Sequence, residues 1–323
     1  MSVILVTPRS FQEAGPGPAE KLRRAGHEVR FNDLGRAMKA KEMAERARDA
    51  VAIIPGTDQI TREVFEAAPD LKVVSRYGVG YESVDLKAAT EFGVVVTNTP
   101  GVNSDAVADL AFSLILSLAR WIPKHDSLMK QREWKRMVGV EMPGSTLGII
   151  GMGAIGKGVA RRAKGFGMRV LAYDVYFDGG FASEHGVEEA GLDELLRESD
   201  FVTLHCPVTP ETEGLMSAGR IGQMKPTAYL INTARGELVD EDALCHALRE
   251  GKLAGAAVDV FRTEPPWGSP LMEIDNVILS PHAGACARQT IERMAFQSVD
   301  NALAVLEGKR PTSVVNPEVY DNK

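Results

Sequence analysis

The sequence predicts an α/β protein of two doubly wound parallel-sheet domains, and three observations carry that reading. Short β-branched, apolar runs recur along the 323 residues. Stretches with helical spacing separate them. The most distinctive glycine motif begins only at Gly151, so a segment of about domain size precedes it.

The runs of the first half are Val3–Thr7, Val51–Ile54, Val73–Ser75 and Val94–Thr97. Those of the second are Leu147–Ile150, Val170–Tyr173, Phe201–Leu204, Tyr229–Asn232, Ala256–Val260 and Val277–Ser280. They alternate little between apolar and polar, which fits parallel strands buried on both faces. Ala37–Ala50 and Asp240–Glu250 read as intervening helices. Asp105–Arg120 is apolar nearly all round, the pattern of a helix buried between domains or subunits. Gln289–Glu307 reads as a helix with no strand after it, so the tail is expected to return to the first domain. The expected arrangement is therefore discontinuous, with residues 1–101 and 289–323 forming one domain and residues 102–288 inserted as the other.

Composition narrows the partners. Charged residues make up 25% and hydrophobic ones 44%, the ordinary globular range. A net charge of −7 lacks the basic footprint that phosphate backbones require, so no nucleic-acid partner is expected. No apolar run approaches the roughly 20 residues of a membrane span, and none is expected. The opening MSVILVTPRS has no basic region before a long apolar one, so it reads as a first strand rather than a signal peptide. Cys206, Cys245 and Cys286 are odd in number and widely spaced, unlike a metal site. No metal and a reducing, cytoplasmic compartment are expected.

The glycine motif is Gly151-x-Gly153-x-x-Gly156, set between an apolar strand and a helix. A second strand, Arg169–Tyr173, ends at Asp174. Gly151 allows a tight turn, Gly153 lets backbone approach a pyrophosphate, and Gly156 permits close helix–strand packing. The helix N-terminus offers unpaired N–H groups to the phosphates. Asp174 suits the hydroxyls of an adenosine ribose and repels a 2′-phosphate, and no Arg follows it, so NAD is expected over NADP. A glycine-rich turn without a cofactor leaves Asp174 unexplained. The second domain is thus expected to be a Rossmann domain, inserted in a flavodoxin-like substrate domain.

Three further segments follow apolar strands directly: Asn232–Glu237, Val260–Pro266 and Ser280–Gly284. Ligands of open α/β sheets bind at the carboxyl ends of strands, so these segments are placed to meet the cofactor. Hydride transfer at a carbinol carbon needs a base on the oxygen, a positive group and a partner that tunes the base. His282 suits the proton, since an ordinary imidazole titrates near working pH. Glu264 suits the tuning, by orienting the imidazole and favouring its charged form. Arg235 carries a permanent charge on a planar fork that matches a carboxylate or carbonyl. Each alone reads equally as a loop, capping or surface residue. Together, behind a dinucleotide motif, they point to chemistry.

The segments RYGVGYESVDLKAATEFGVVVTNTPGVNS, GSTLGIIGMGAIG, HCPVTPETEGL, NTARGELVDEDAL, AAVDVFRTEPP and SPHAGA span nearly the whole chain. They resemble the D-2-hydroxyacid dehydrogenase family, and within it 3-phosphoglycerate dehydrogenases most closely. The resemblance implies that Arg235, Glu264 and His282 are catalytic, acting on C2 of a small 2-hydroxy or 2-keto acid. It implies that Tyr77, Gly78 and Val79 present backbone N–H groups to the substrate carboxylate, with Arg235 and His282 also touching the substrate. It implies NAD contacts at Gly153, Ala154, Ile155, Asp174, Cys206, Pro207, Thr233 and Asp259, with Asp259 meeting the nicotinamide amide. Two lobes closing over a cleft and a homodimer formed through the nucleotide-binding lobes are implied as well.

Two departures matter. Formate dehydrogenases resemble this pattern but carry an amide where Glu264 stands, which disfavours formate here. Many phosphoglycerate dehydrogenases carry Arg-Ser-x-Thr after their second strand, where this chain has Pro55-Gly56-Thr57-Asp58. A phosphate-holding Arg is missing there, and Asp58 is expected to repel a phosphate. Arg76, or Lys135 and Arg136 of a partner subunit, are the candidate replacements. The rival reading is an NAD(H)-sensing binding protein, since a corepressor branch of the family keeps similar catalytic residues.

Overall fold

In the computed structural model, which describes residues 2–321, the chain divides into two compact units. Among the described residues the first comprises 2–103 and 285–321, and the second 104–284.

The first unit carries a parallel sheet of β1 (Val3–Val6), β2 (Glu28–Phe31), β3 (Ala50–Ile54), β4 (Val73–Ser75) and β5 (Val95–Thr97), in the order β2-β1-β3-β4-β5. That is the flavodoxin-like order. Strands β1 and β3–β5 are almost wholly buried, as their unbroken apolar runs require. The edge strand β2 (EVRF) was not foreseen, because an edge needs no continuous apolar run and this one carries two charges. The helix Arg288–Leu306 packs on β3, β4 and β5, burying Met294, Ala295, Val299 and Ala302 among Ile4, Val6 and Val73. Beyond it, Val314 bridges antiparallel to Thr97, so the tail extends the sheet edge.

The second unit holds a seven-stranded sheet in the order β12-β11-β10-β9-β6-β7-β8, every pair parallel. Its strands are β6 (Thr146–Ile150), β7 (Arg169–Tyr173), β8 (Val187–Glu189), β9 (Phe201–Leu204), β10 (Tyr229–Asn232), β11 (Gly255–Val258) and β12 (Val277–Leu279). Only β8, a short edge strand ending in two glutamates, escaped the sequence reading. The helix Ser104–Ala119 packs on β10, β11 and the helix Ala154–Gly165. It buries Ala108, Ala111, Phe112, Leu114, Ile115 and Leu118 within this unit. Among the described residues no single helix is long and apolar enough to cross a membrane.

Candidate active site

Every candidate residue of the second unit lies beyond the carboxyl end of a strand. The strand order reverses at β6, whose neighbours are β7 and β9, which opens a crevice at that end of the sheet.

The glycines of the motif are steric necessities. Gly151 has φ +100°, and a Cβ on it would fall 2.6 Å from the His205 carbonyl carbon. A Cβ on Gly156 would fall 2.0 Å from the Gly151 oxygen. Gly153, by contrast, faces open space and starts the helix Ala154–Gly165 without a side-chain cap. The N–H groups of Ala154 and Ile155 are first-turn groups that no helix bond can use, and they remain for an anion.

Asp174 accepts from Met152 N at 2.6 Å with one oxygen and from Tyr176 N at 2.8 Å with the other. Its remaining lone pairs suit ribose hydroxyls. Thr233 is buried, and its hydroxyl has no partner among the described residues, as expected of a group awaiting an external one. Burial pushes the Cys206 thiol up to about 11, helped by the charge of Asp174, so it stays neutral beside Pro207. Open helix N-terminus, ribose-ready carboxylate and orphaned hydroxyl together fit a dinucleotide.

The chemical residues are gathered by backbone contacts. A Cβ on Gly236 would lie 2.1 Å from the Phe261 carbonyl carbon, so only glycine lets the Arg235 loop pack on the loop that carries Glu264. Asn232 holds the Arg235 loop, donating to the Arg235 carbonyl at 2.8 Å and accepting from Ala234 N at 3.1 Å. Glu264 takes the N–H of Phe261 at 3.1 Å and faces His282 Nδ1 at 2.9 and 3.1 Å. Burial raises the Glu264 pKa, but the hydrogen bond and charge of His282, the Phe261 N–H and the charge of Arg235 outweigh it. The net shift is downward, and Glu264 is a carboxylate at neutral pH.

Asp259 has a use that sequence reasoning missed. It is 1% exposed, and its carboxylate accepts from Ser280 Oγ at 2.5 Å, Ala283 N at 2.8 Å and Gly284 N at 2.9 Å. It therefore holds the loop that carries His282, and presents little surface toward a nicotinamide. His205 was missed as well. Its Nε2 pairs with Thr203 Oγ1 at 2.9 Å, its Nδ1 is enclosed, and burial drives its pKa down to about 3. The only signal for either was position directly after an apolar strand.

In the first unit the turn after β4 corrects two expectations. Tyr77 N donates to the Pro55 carbonyl at 3.0 Å, and Gly78 N to the Arg76 carbonyl at 3.1 Å. Both are already committed, which leaves Val79 N and, unforeseen, Gly80 N as the donors without acceptors among the described residues. Asp58, in the loop after β3, is a further correction. It is 2% exposed and accepts from Met38 N at 2.7 Å, Gly56 N at 2.9 Å and the Thr7 hydroxyl. It braces the loop from inside.

Residues 112–284 match the family model described as the D-isomer specific 2-hydroxyacid dehydrogenase NAD binding domain. A glyoxylate reductase of Korarchaeum cryptofilum is 47% identical over 287 residues, 86% of each chain. A D-3-phosphoglycerate dehydrogenase of Methanocaldococcus jannaschii is 41% identical over 92% of this chain and 57% of its own length. The D-lactate dehydrogenase of Aquifex aeolicus, solved with NAD and lactic acid, superposes with a TM-score of 0.84 at 30% identity, covering 98% of this chain and 99% of its own.

Proposed function

Since the chain belongs to the D-isomer-specific 2-hydroxyacid dehydrogenases and uses NAD, we propose that it reduces a small, unphosphorylated 2-keto acid of the size of glyoxylate or hydroxypyruvate. The observation that carries the chemistry is the Glu264–His282 pair at 2.9 Å, beside Arg235.

With Nδ1 engaged by Glu264, the Nε2 of His282 is left for proton transfer. It donates its proton to the substrate carbonyl oxygen as that oxygen becomes a hydroxyl. Arg235 polarises the same carbonyl and stabilises the negative charge that develops on it. NAD supplies the hydride in its reduced form. In the oxidative direction His282 takes the hydroxyl proton back. Within the first unit, Val79 N and Gly80 N are the donors left for a carboxylate.

Three features favour an unphosphorylated acid. The Pro55–Asp58 loop brings no cation, and its one carboxylate is turned inward. Arg76 is folded back on its own turn, donating to the Tyr77 carbonyl. Relatives named glyoxylate reductase match at up to 47% identity, against 41% for the phosphoglycerate enzyme. A panel of glyoxylate, hydroxypyruvate, phosphohydroxypyruvate and bulkier keto acids with NADH tests the reading. Preference for phosphohydroxypyruvate overturns the substrate choice. Tight NADH binding with no turnover of any acid favours the sensing protein instead.

A homodimer through the second unit belongs to the same reading. Trp134 and Val138 stand 85% and 93% exposed on residues 131–141, an apolar display that a second copy would cover. Sedimentation of the purified chain tests it. A cytoplasmic location belongs to the same reading, since Cys206, Cys245 and Cys286 form no disulfide among the described residues.

A further inference from the structure

The turn after β4 is held from behind. The Gly78 carbonyl accepts from Thr99 N at 2.9 Å, and the Val79 carbonyl accepts from Asn98 Nδ2 at 2.8 Å. Both donors belong to the segment that follows β5. In a trans peptide the carbonyl of one residue and the N–H of the next point in opposite directions. The N–H groups of Val79 and Gly80 therefore face away from that segment, side by side and without acceptors among the described residues. Two adjacent unpaired donors on a half-exposed turn match the two oxygens of a carboxylate.

Asn98 is itself locked. It is 8% exposed. Ser313 donates its hydroxyl to Oδ1, which settles which end of the amide faces Val79. Asn301 donates to the Asn98 backbone carbonyl at 3.0 Å. The C-terminal segment around Ser313 is in turn fastened to β5, with Val315 N donating to the Val96 carbonyl at 2.8 Å. The helix Arg288–Leu306 is tied to β4, where Ser75 Oγ donates to the Ser298 carbonyl at 2.7 Å.

We propose that Asn98 is a positioning residue that aims the Val79 and Gly80 N–H groups as a carboxylate cradle, with Ser313 and Asn301 setting its orientation. The proposal rests on the keto-acid reading above. It explains why the chain's last segment returns to a turn far from it in sequence. Substrate affinity is set partly by residues that touch no substrate.

The test separates positioning from folding. Asn98→Asp keeps the shape but replaces the donor by an oxygen facing the Val79 carbonyl. It is expected to raise KM for glyoxylate or hydroxypyruvate about tenfold or more. The same variant should leave kcat within a few-fold and NADH affinity unchanged. Oxamate, a two-carbon carboxylate probe, should lose affinity for the NADH complex by the same factor. Ser313→Ala, at a less buried site, should give a smaller rise in KM, and Ser313→Thr should restore it. Should Asn98→Asp fail to fold, as read by circular dichroism, the Ser313 pair carries the test.

A parallel fall in kcat and NADH affinity, or unchanged oxamate binding in a folded variant, overturns the proposal. So does a wild-type NADH complex that binds no oxamate. Oxamate binding that depends on Asn98 or Ser313, in a protein that turns over no keto acid, supports the cradle and removes the keto-acid reading instead.

Discussion

Asp259 and His282 are joined through both backbone and side chain. The His282 N–H donates to the Asp259 carbonyl at 2.8 Å, while the Asp259 carboxylate gathers Ala283 N and Gly284 N just beyond. His282 sits at φ +51°, a left-handed conformation that costs a non-glycine residue free energy and persists only when its surroundings impose it. The Asp259 bonds impose it. The imidazole is thereby delivered to Glu264 at 2.9 Å. Asp259→Ala should consequently lower kcat by about tenfold or more and cost stability, since three donors lose their acceptor. Kinetics alongside a thermal melt checks both, and retained kcat would separate Asp259 from the histidine loop.

His282→Ala removes the proposed proton donor while leaving the dinucleotide crevice intact. Turnover should fall by roughly 10²–10⁴-fold, the usual contribution of general acid–base catalysis. NADH affinity, measured by fluorescence, should hardly change. Most of the activity surviving would place the proton transfer elsewhere.

Glu264→Gln keeps an acceptor for Nδ1 but loses the charge. The Glu264 pKa is lowered, so its carboxylate is present at neutral pH and its benefit disappears as pH falls through that lowered value. The amide carries no charge at any pH. Keto-acid reduction should therefore be slower in the variant near neutral pH, and should lack the decline that wild type shows as pH falls through the lowered Glu264 value. Coincident kcat/KM profiles would count against electrostatic tuning.

Asp174→Ala removes the carboxylate proposed to meet the ribose and repel a 2′-phosphate. NADH affinity should drop by about tenfold, the scale of one charge-assisted hydrogen bond. Discrimination against NADPH should shrink at the same time. Titrating both cofactors by fluorescence decides, and an unchanged ratio removes Asp174 from cofactor choice.

His205 predicts an acid sensitivity. Burial lowers its pKa to about 3, whereas the unfolded chain protonates it near the ordinary value of about 6.5. Its share of stability is full above about 6.5 and drains away as pH falls toward about 3, because only the unfolded state gains the proton. His205→Asn, which cannot be protonated, should flatten the melting temperature over that window. An equal slope in both proteins would show that other groups govern it.

Strand positions and the dinucleotide loop were legible in the sequence because both depend on local requirements. Ile149 and Val170 belong to unbroken apolar runs that can only be buried, and Gly151 and Gly156 stand where a Cβ would meet backbone. Arg235, Glu264 and His282 were legible as strand-end residues, since the carboxyl ends of parallel strands share one side of the sheet. The tertiary structure decided what burial and hydrogen bonding do to each polar group once distant segments meet. Asp58 read as an outward charge and is an internal brace, and Tyr77 and Gly78 read as ligand donors but spend their N–H groups on Pro55 and Arg76. Asp259 holds the His282 loop, and Ser313 of the returning tail fixes the Asn98 amide toward Val79. The reason is physical. Apolar pattern and steric demand are properties of neighbouring residues, whereas a polar group's role depends on which partners the fold brings within about 3 Å of it.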